Sequence, residues 1–381
     1  MNSRELFDRL VGFPTVSRDS NLQLIEFVRD FLAAHGVESQ LFLDARREKA
    51  NLFATIGPRD AGGVMLSGHT DVVPVDGQAW SSDPFQVVER AGRLYGRGSA
   101  DMKGFLACAL AAAARATLQT LRVPLHLAFS YDEEVGCLGV RSLLAAMTGW
   151  THQPRFCIVG EPTMLQIATG HKGKTALRAT CRGHAAHSAF PGKGVNAIYL
   201  AADFVGRVRE VQAGIEANGT RDSAYEVPYT TLHVGVVHGG NALNIVPDRC
   251  ELELEIRNLV TDDPAAIVER LRAEGEAIAA AAGRPDCTST FGLEVMNEYP
   301  GLETPADAEV VGLVAALTGS RATCKVAYGS EGGLFSGQLG IPTVVCGPGS
   351  IQQAHKPDEY LALDQLLRCD AMLNALLERL C

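Results

Sequence analysis

Short apolar runs recur along the chain, and each opens into glycine, acid or histidine. Val64 to Leu66 leads into Gly68-His69-Thr70-Asp71-Val72-Val73-Pro74, Leu125 to Tyr131 into Asp132-Glu133-Glu134-Val135-Gly136, and Phe156 to Val159 into Gly160-Glu161-Pro162-Thr163. Thr343 to Cys346 leads into Gly347-Pro348-Gly349-Ser350 and then Gln353-Ala354-His355-Lys356-Pro357. Runs of this kind read as buried strands whose last residues enter loops. Open α/β sheets bind their ligands at that carboxyl edge. Between the runs lie stretches with helical spacing. One follows Ser20, with Leu24, Ile25, Val28, Phe31 and Leu32 on one face and Gly36 as a left-handed cap. Another is Phe105 to Thr117, preceded by Gly96-Arg97-Gly98-Ser99-Ala100-Asp101-Met102-Lys103-Gly104. Leu41 to Leu43 and Asn51 to Ile56 predict two further strands, and the alternation to about Gly170 predicts a doubly wound α/β layer.

From about Gly173 the pattern changes. It predicts a strand near Thr175 to Arg182, a helix near Asn196 to Ile215, strands near Thr230 to Val237 and Arg249 to Arg257, a helix near Pro264 to Ala282 and a strand near Cys287 to Val295. That order, β-α-β-β-α-β, is the ferredoxin-like sandwich. α/β patterning resumes after Pro300, so residues 1–172 and 297–381 are expected to form one domain and residues 173–296 an inserted α+β domain. A sheet of that kind has edges to cover, and pairing between two subunits is a natural use of one.

Composition narrows the classes. The 381 residues are 46% apolar, enough for a large core, and the formal charge of −10 with no basic cluster argues against nucleic acid as a partner. No apolar run reaches the length of a membrane span, and the start MNSRELFDRL carries charge where a leader would be apolar, so a cytoplasmic protein without membrane contact is expected. Ten cysteines without a C-x-x-C spacing read as buried thiols, not as a thiolate cage.

The chemistry lies in the loops. A lone histidine after a strand is ordinarily a satisfied polar residue, but five segments here supply His69, His355 and several carboxylates to one edge, which suits a divalent metal. Asp71, two residues past His69, can accept a hydrogen bond from its second ring nitrogen. The pair Glu133-Glu134 would ordinarily be a solvated loop, and only its place after a strand sets it apart. Gly96-Arg97-Gly98 invites a dinucleotide reading, but Asp101 stands where the third glycine of G-x-G-x-x-G belongs and would repel a pyrophosphate.

Taken together, the motifs resemble those of the M20 family of metallo-hydrolases, in order and over nearly the whole chain. The resemblance implies His69 and Glu161 on one metal, Glu134 and His355 on a second, and Asp101 bridging both. It also implies Asp71 supporting His69, and Glu133 as the base. With Asp101 shared, each ion has one histidine and one terminal carboxylate and keeps a position for water. Such a site suits two Zn²⁺ per subunit, with Co²⁺ or Mn²⁺ as substitutes. Metal binding lowers the pKa of water from about 15.7 towards about 7, and Glu133 could take its proton and pass it to a leaving amine. In the inserted domain His187, within Gly183-His184-Ala185-Ala186-His187-Ser188, matches the family's transition-state histidine, which completes the site of the opposite subunit in a homodimer. His184 does not match. Asn244 and Arg257 match positions that hold substrate, an arginine fork suiting a carboxylate, and Glu331 lies where the substrate side chain is expected.

Within the family, IVGEPT at Ile158 to Thr163, HKGK at His171 to Lys174 and CGPGSIQQAHKPDEYL at Cys346 to Leu361 are most similar to the acetylornithine deacetylase branch. The implied reaction converts N2-acetyl-L-ornithine to L-ornithine and acetate, a step of arginine biosynthesis. The alternatives are a succinyl-diaminopimelate desuccinylase, another N-acyl-amino-acid amidohydrolase, or a catalytically silent binding protein on the same fold.

Overall fold

The apolar runs become the middle of a nine-stranded mixed sheet. In the computed structural model, which describes residues 1–381, its order is Ser39–Leu43, Ala50–Ile56, Leu125–Ser130, Val64–His69, Phe156–Pro162, Thr343–Gly347, Ile167–His171 and Leu302–Glu303, with Thr323–Val326 also paired to Ile167–His171. The four middle strands run parallel. Every one of their residues is buried, as strands covered on both faces require. The strands to either side are antiparallel to their neighbours.

Helix Gly104–Ala116, the element read as Phe105 to Thr117, lies on one face of the central strands. It packs against the helices Ser3–Val11 and Leu363–Leu380. Leu66, Leu125, Leu127, Phe129, Ile158 and Val344 fill the core on this side. The other face carries Val140–Met147 and Gly332–Leu339. Asn51 points that way, its amide donating to the Gly139 carbonyl at 2.7 Å. The helix after Ser20 runs Leu22–Ala34; the Ser20 hydroxyl accepts from the Leu22 N–H at 3.2 Å, and Gly36 is left-handed at φ 74°.

The chain divides into two compact units, one of Met1–His171, Leu302–Lys325 and Ser330–Cys381, the other of Lys172–Gly301 and Val326–Gly329. The second has a four-stranded antiparallel sheet ordered Thr231–Gly239, Arg249–Asn258, Gly173–Arg182, Thr290–Tyr299, with helices Ala197–Asn218 and Pro264–Ala282 against it. Alternate residues of Gly173–Arg182 are buried, so Leu177, Ala179 and Cys181 meet Phe204, Val208 and Leu271 in a separate core. The last strand runs later than the sequence pattern suggests, because a register shift between Val295 and Asn297 breaks the alternation while pairing continues to Tyr299. No helix is long and apolar enough to cross a membrane.

Candidate metal centre

His69 is the last residue of a central strand, where the backbone leaves the sheet. Gly68 before it is needed for packing: a Cβ there would stand 2.4 Å from the Met102 methyl and 2.8 Å from a Leu106 methyl. The His69 ring is buried. Its Nδ1 lies 2.9 Å from the Asp71 backbone carbonyl and 3.6 Å from the Asp71 carboxylate. Nδ1–H therefore donates to the carbonyl, and Nε2 is the ring nitrogen turned to the acids and the one that would bind a metal.

The carboxylate of Asp71 has other work. It accepts from the Ser17 hydroxyl at 2.7 Å and from the backbone N–H groups of Glu133 and Glu134 at 3.1 and 3.3 Å. It thus fixes the loop after Leu125–Ser130, where Asp132 adopts a left-handed backbone at φ 54°. Lys49 holds that loop from the other side, 2.6 Å from Asp132. The Cys137 thiol donates to Glu133 Oε1 at 3.4 Å.

Around His69 Nε2 stand Asp101 Oδ1 at 2.9 Å and Glu161 Oε1 at 3.6 Å. The other Asp101 oxygen is 3.3 Å from His355 Nε2, which also lies 3.1 Å from Glu134 Oε2. The ligand atoms of His69, Glu133 and Glu161, and those of His69, Asp101 and Glu134, lie within 4.8 Å of one another. Two ligands at about 2.0–2.1 Å from one tetrahedral ion are themselves about 3.3 Å apart. The separations of 2.9 to 3.6 Å bracket that value.

The electrostatics ask for positive charge in the same place. Burial, reinforced by neighbouring acids, raises Glu133 to about 8 and Glu134 to about 7, and lifts Glu161 well above the carboxylate range. Hydrogen bonds to Asp101 and Glu134 raise His355 to about 10. Burial opposes a charged His69, yet Glu161, Asp101 and Asp71 around it carry its pKa well up. The donor set of two imidazoles and buried carboxylates fits a pair of divalent ions.

Glu331, in the same unit as the centre, is 1% exposed, with Ser67 Oγ 3.4 Å from one oxygen and its pKa raised to about 7 by burial. In the second unit His187 is exposed on the short strand Ala186–His187, its Nδ1 accepting from the Ala189 N–H at 3.0 Å. Asn244 is exposed, and its carbonyl accepts from the Ser188 N–H at 3.1 Å. Arg257 is half-buried, its fork on Glu255 at 3.1 and 3.2 Å and on the Tyr299 hydroxyl at 3.1 Å. The supports Ser17, Lys49 and Cys137 carry no local signal in the sequence, because their partners are distant in the chain or look like ordinary loop acids.

The chain is similar to known proteins over nearly its whole length. Acetylornithine deacetylase of Myxococcus xanthus is 36% identical over 383 residues, covering 99% of this chain and 97% of that protein. The enzyme of the same name from Klebsiella pneumoniae (strain 342) is 38% identical, covering 94% and 92%. The fold matches an M20 family metallo-carboxypeptidase from Sulfolobus solfataricus with a TM-score of 0.77 at 18% identity, covering 99% of both chains. It also matches a Bacillus subtilis protein described as a dinuclear metal binding peptidase, with a TM-score of 0.67 at 16% identity, covering 99% and 98%. The profile of peptidase family M20/M25/M40 matches residues 65–379, and the chain, a hydrolase by these relationships, belongs to that family.

Proposed function

We propose that this chain is a dinuclear zinc-dependent deacylase that hydrolyses N2-acetyl-L-ornithine to L-ornithine and acetate. The observation that carries the reading is Asp101, whose two oxygens lie 2.9 Å from His69 Nε2 and 3.3 Å from His355 Nε2, the disposition of a carboxylate shared by two ions. His69 and Glu161 would hold one ion, His355 and Glu134 the other. When bound, two Zn²⁺, or Co²⁺ in their place, supply Lewis-acid polarisation of the amide carbonyl and a water acidified towards about pH 7.

The chain's own residues do the rest. Glu133, with a pKa near 8 before any cation lowers it, takes a proton from the attacking water and delivers it to the amide nitrogen as the C–N bond breaks. Water thus divides between acetate and the free amine. Asp71 keeps Glu133 and Glu134 in register through their backbone N–H groups. His187 is assigned as donor to the carbonyl oxygen as it gains charge, and Arg257 with Asn244 as the partners of the substrate carboxylate. The substrate assignment is supported by relatives at 36 and 38% identity that are acetylornithine deacetylases.

A homodimer built on the second unit, in the cytoplasm and serving arginine biosynthesis, completes the proposal. Its support is the edge strand Thr231–Gly239 and the exposed Val236, Val237, Leu243 and Ile245. The test is acyl release from a panel containing N2-acetyl-L-ornithine, N-succinyl-diaminopimelate and N-acetyl-methionine. The highest kcat/KM is expected for acetylornithine, and a higher value for the succinyl compound would assign the chain to the desuccinylases instead.

A further inference from the structure

The loop that carries Asp101 has little regular structure of its own. Gly98 is left-handed at φ 76°, and the residues around Asp101 leave helical geometry before Gly104–Ala116 begins. A loop of this kind needs an external template if one carboxylate is to face two partners at once.

The template is a carboxylate far away in sequence. Glu359 is 1% exposed. Its Oε1 accepts from the backbone N–H groups of Ala100 at 2.9 Å and Asp101 at 3.1 Å, and its Oε2 from the Gly98 N–H at 3.0 Å and Arg97 Nη1 at 2.7 Å. Three backbone donors and a guanidinium satisfy the whole carboxylate, which suits a buried charge. The close approach depends on Gly98, where a Cβ would meet a Val72 methyl at 2.5 Å.

Arg97 extends the same contact to the neighbouring loops. It is equally buried and donates to Gln78 Oε1 at 2.5 Å, to the Pro74 carbonyl at 3.5 Å and to the Lys356 carbonyl at 3.3 Å. Its guanidinium carbon stands 5.0 Å from the Trp80 ring centre. Gln78 in turn donates to the His355 carbonyl at 3.3 Å. One buried pair therefore touches the segment that follows His69, the segment that ends in Asp101 and the segment between His355 and Glu359. None of its atoms is among those that would face a metal.

We propose that Arg97 and Glu359 are the positioning residues of the metal centre, a buried clamp that sets Asp101 between His69 and His355 and so determines whether two ions can share it. The inference rests on the dinuclear reading above and adds what holds that geometry. A pair retained only for fold stability would lower the melting temperature without altering metal affinity in the folded chain. The clamp predicts a change in affinity at temperatures where the variants are fully folded.

The experiment is a zinc titration of the metal-depleted full chain against a chromophoric competing chelator, with unfolding of each metal-free protein followed in parallel. Wild type takes up two Zn²⁺. Glu359→Gln keeps the shape but sets an amide NH₂ against either Arg97 and Gly98 or the N–H groups of Ala100 and Asp101. It is expected to bind the weaker of the two ions at least ten-fold less tightly, and Glu359→Asp should recover part of the loss. If Glu359→Gln does not fold, Arg97→Lys keeps the charge but loses the fork that reaches Gln78 and Pro74, and should weaken the same ion. Two ions bound with wild-type affinity by folded Glu359→Gln, or by Arg97→Lys where Gln does not fold, overturns the clamp while leaving the dinuclear reading intact. A wild-type chain that takes up fewer than two ions overturns both.

Discussion

Replacing Asp71 with Asn tests how much of the centre depends on one buried carboxylate. Oδ2 accepts from Ser17 Oγ at 2.7 Å and from the Glu134 N–H at 3.3 Å, and Oδ1 from the Glu133 N–H at 3.1 Å. An asparagine can place its single oxygen at only one of these positions. With oxygen on the Oδ2 side the bonds to Ser17 and Glu134 survive, the Glu133 bond is lost, and an NH₂ faces a backbone N–H. A hydrogen bond to a charged group contributes about 1.5–3 kcal/mol, and leaving a buried donor unpaired costs about a further 1–3 kcal/mol, giving roughly 2.5–6 kcal/mol in all. The expected result is that loss of stability in urea unfolding of the metal-free chain, together with a fall in turnover of at least ten-fold as Glu133 moves. Ser17→Ala, which removes one donor to the charged carboxylate, should cost about 1.5–3 kcal/mol and little activity. An Asp71→Asn variant with wild-type stability and turnover would refute the claim that this carboxylate organises the loop.

Three further outcomes are expected. Glu133→Gln should retain its metal while turnover falls by about 10²- to 10⁴-fold, whereas Glu134→Ala should lose metal; the reverse pattern would exchange the roles of the neighbouring acids. Because Glu134 near 7 and His355 near 10 hold protons that a metal must displace, zinc binding should release protons and tighten from pH 6 to 8; calorimetry in buffers of different ionisation enthalpy reads this directly, and a buffer-independent heat would contradict it. Burial pushes His126 from 6.5 down to about 4, so the unfolded chain binds the extra proton between those values and stability should fall as pH drops from about 6.5 to 4, by about 3 kcal/mol at most; His126→Leu should flatten that part of the profile, and an unchanged slope would place the titrating group elsewhere.

The parts of the centre that lie on regular elements were legible in the sequence. His69, Asp132 to Glu134 and Glu161 each follow an apolar run that could only be a buried strand, and parallel strands bring their carboxyl ends to one edge whatever the loops do. The inserted unit is legible for the same reason, its alternation holding along Gly173–Arg182 and Arg249–Asn258 and broken by register shifts near Gly235 and Met296. Legibility ended where contacts span the chain. Glu359 reads as one more acid in a polar loop, and nothing near it announces a buried partner at Arg97 or three backbone donors. Asp71 reads from its spacing as a partner of His69; the fold bonds Nδ1 to its carbonyl at 2.9 Å, keeps its carboxylate 3.6 Å from the same nitrogen, and has that carboxylate accept from Glu133 and Glu134 as well. Glu331 is placed near the substrate side chain only by the family resemblance of its segment; its burial beside Ser67 has no local signal in the sequence. The helix Ser3–Val11 went unread although Asn2 and Glu5 form a capping box, since its charged face hid the apolar Leu6, Phe7, Leu10 and Val11.

The most direct measurement is acetate release from N2-acetyl-L-ornithine by metal-depleted chain to which Zn²⁺ is returned in steps. The dinuclear account predicts no turnover without metal, recovery that rises to its maximum as two ions bind, and no recovery in Glu133→Gln at any zinc concentration. Full turnover by the metal-free chain with chelator present would contradict it.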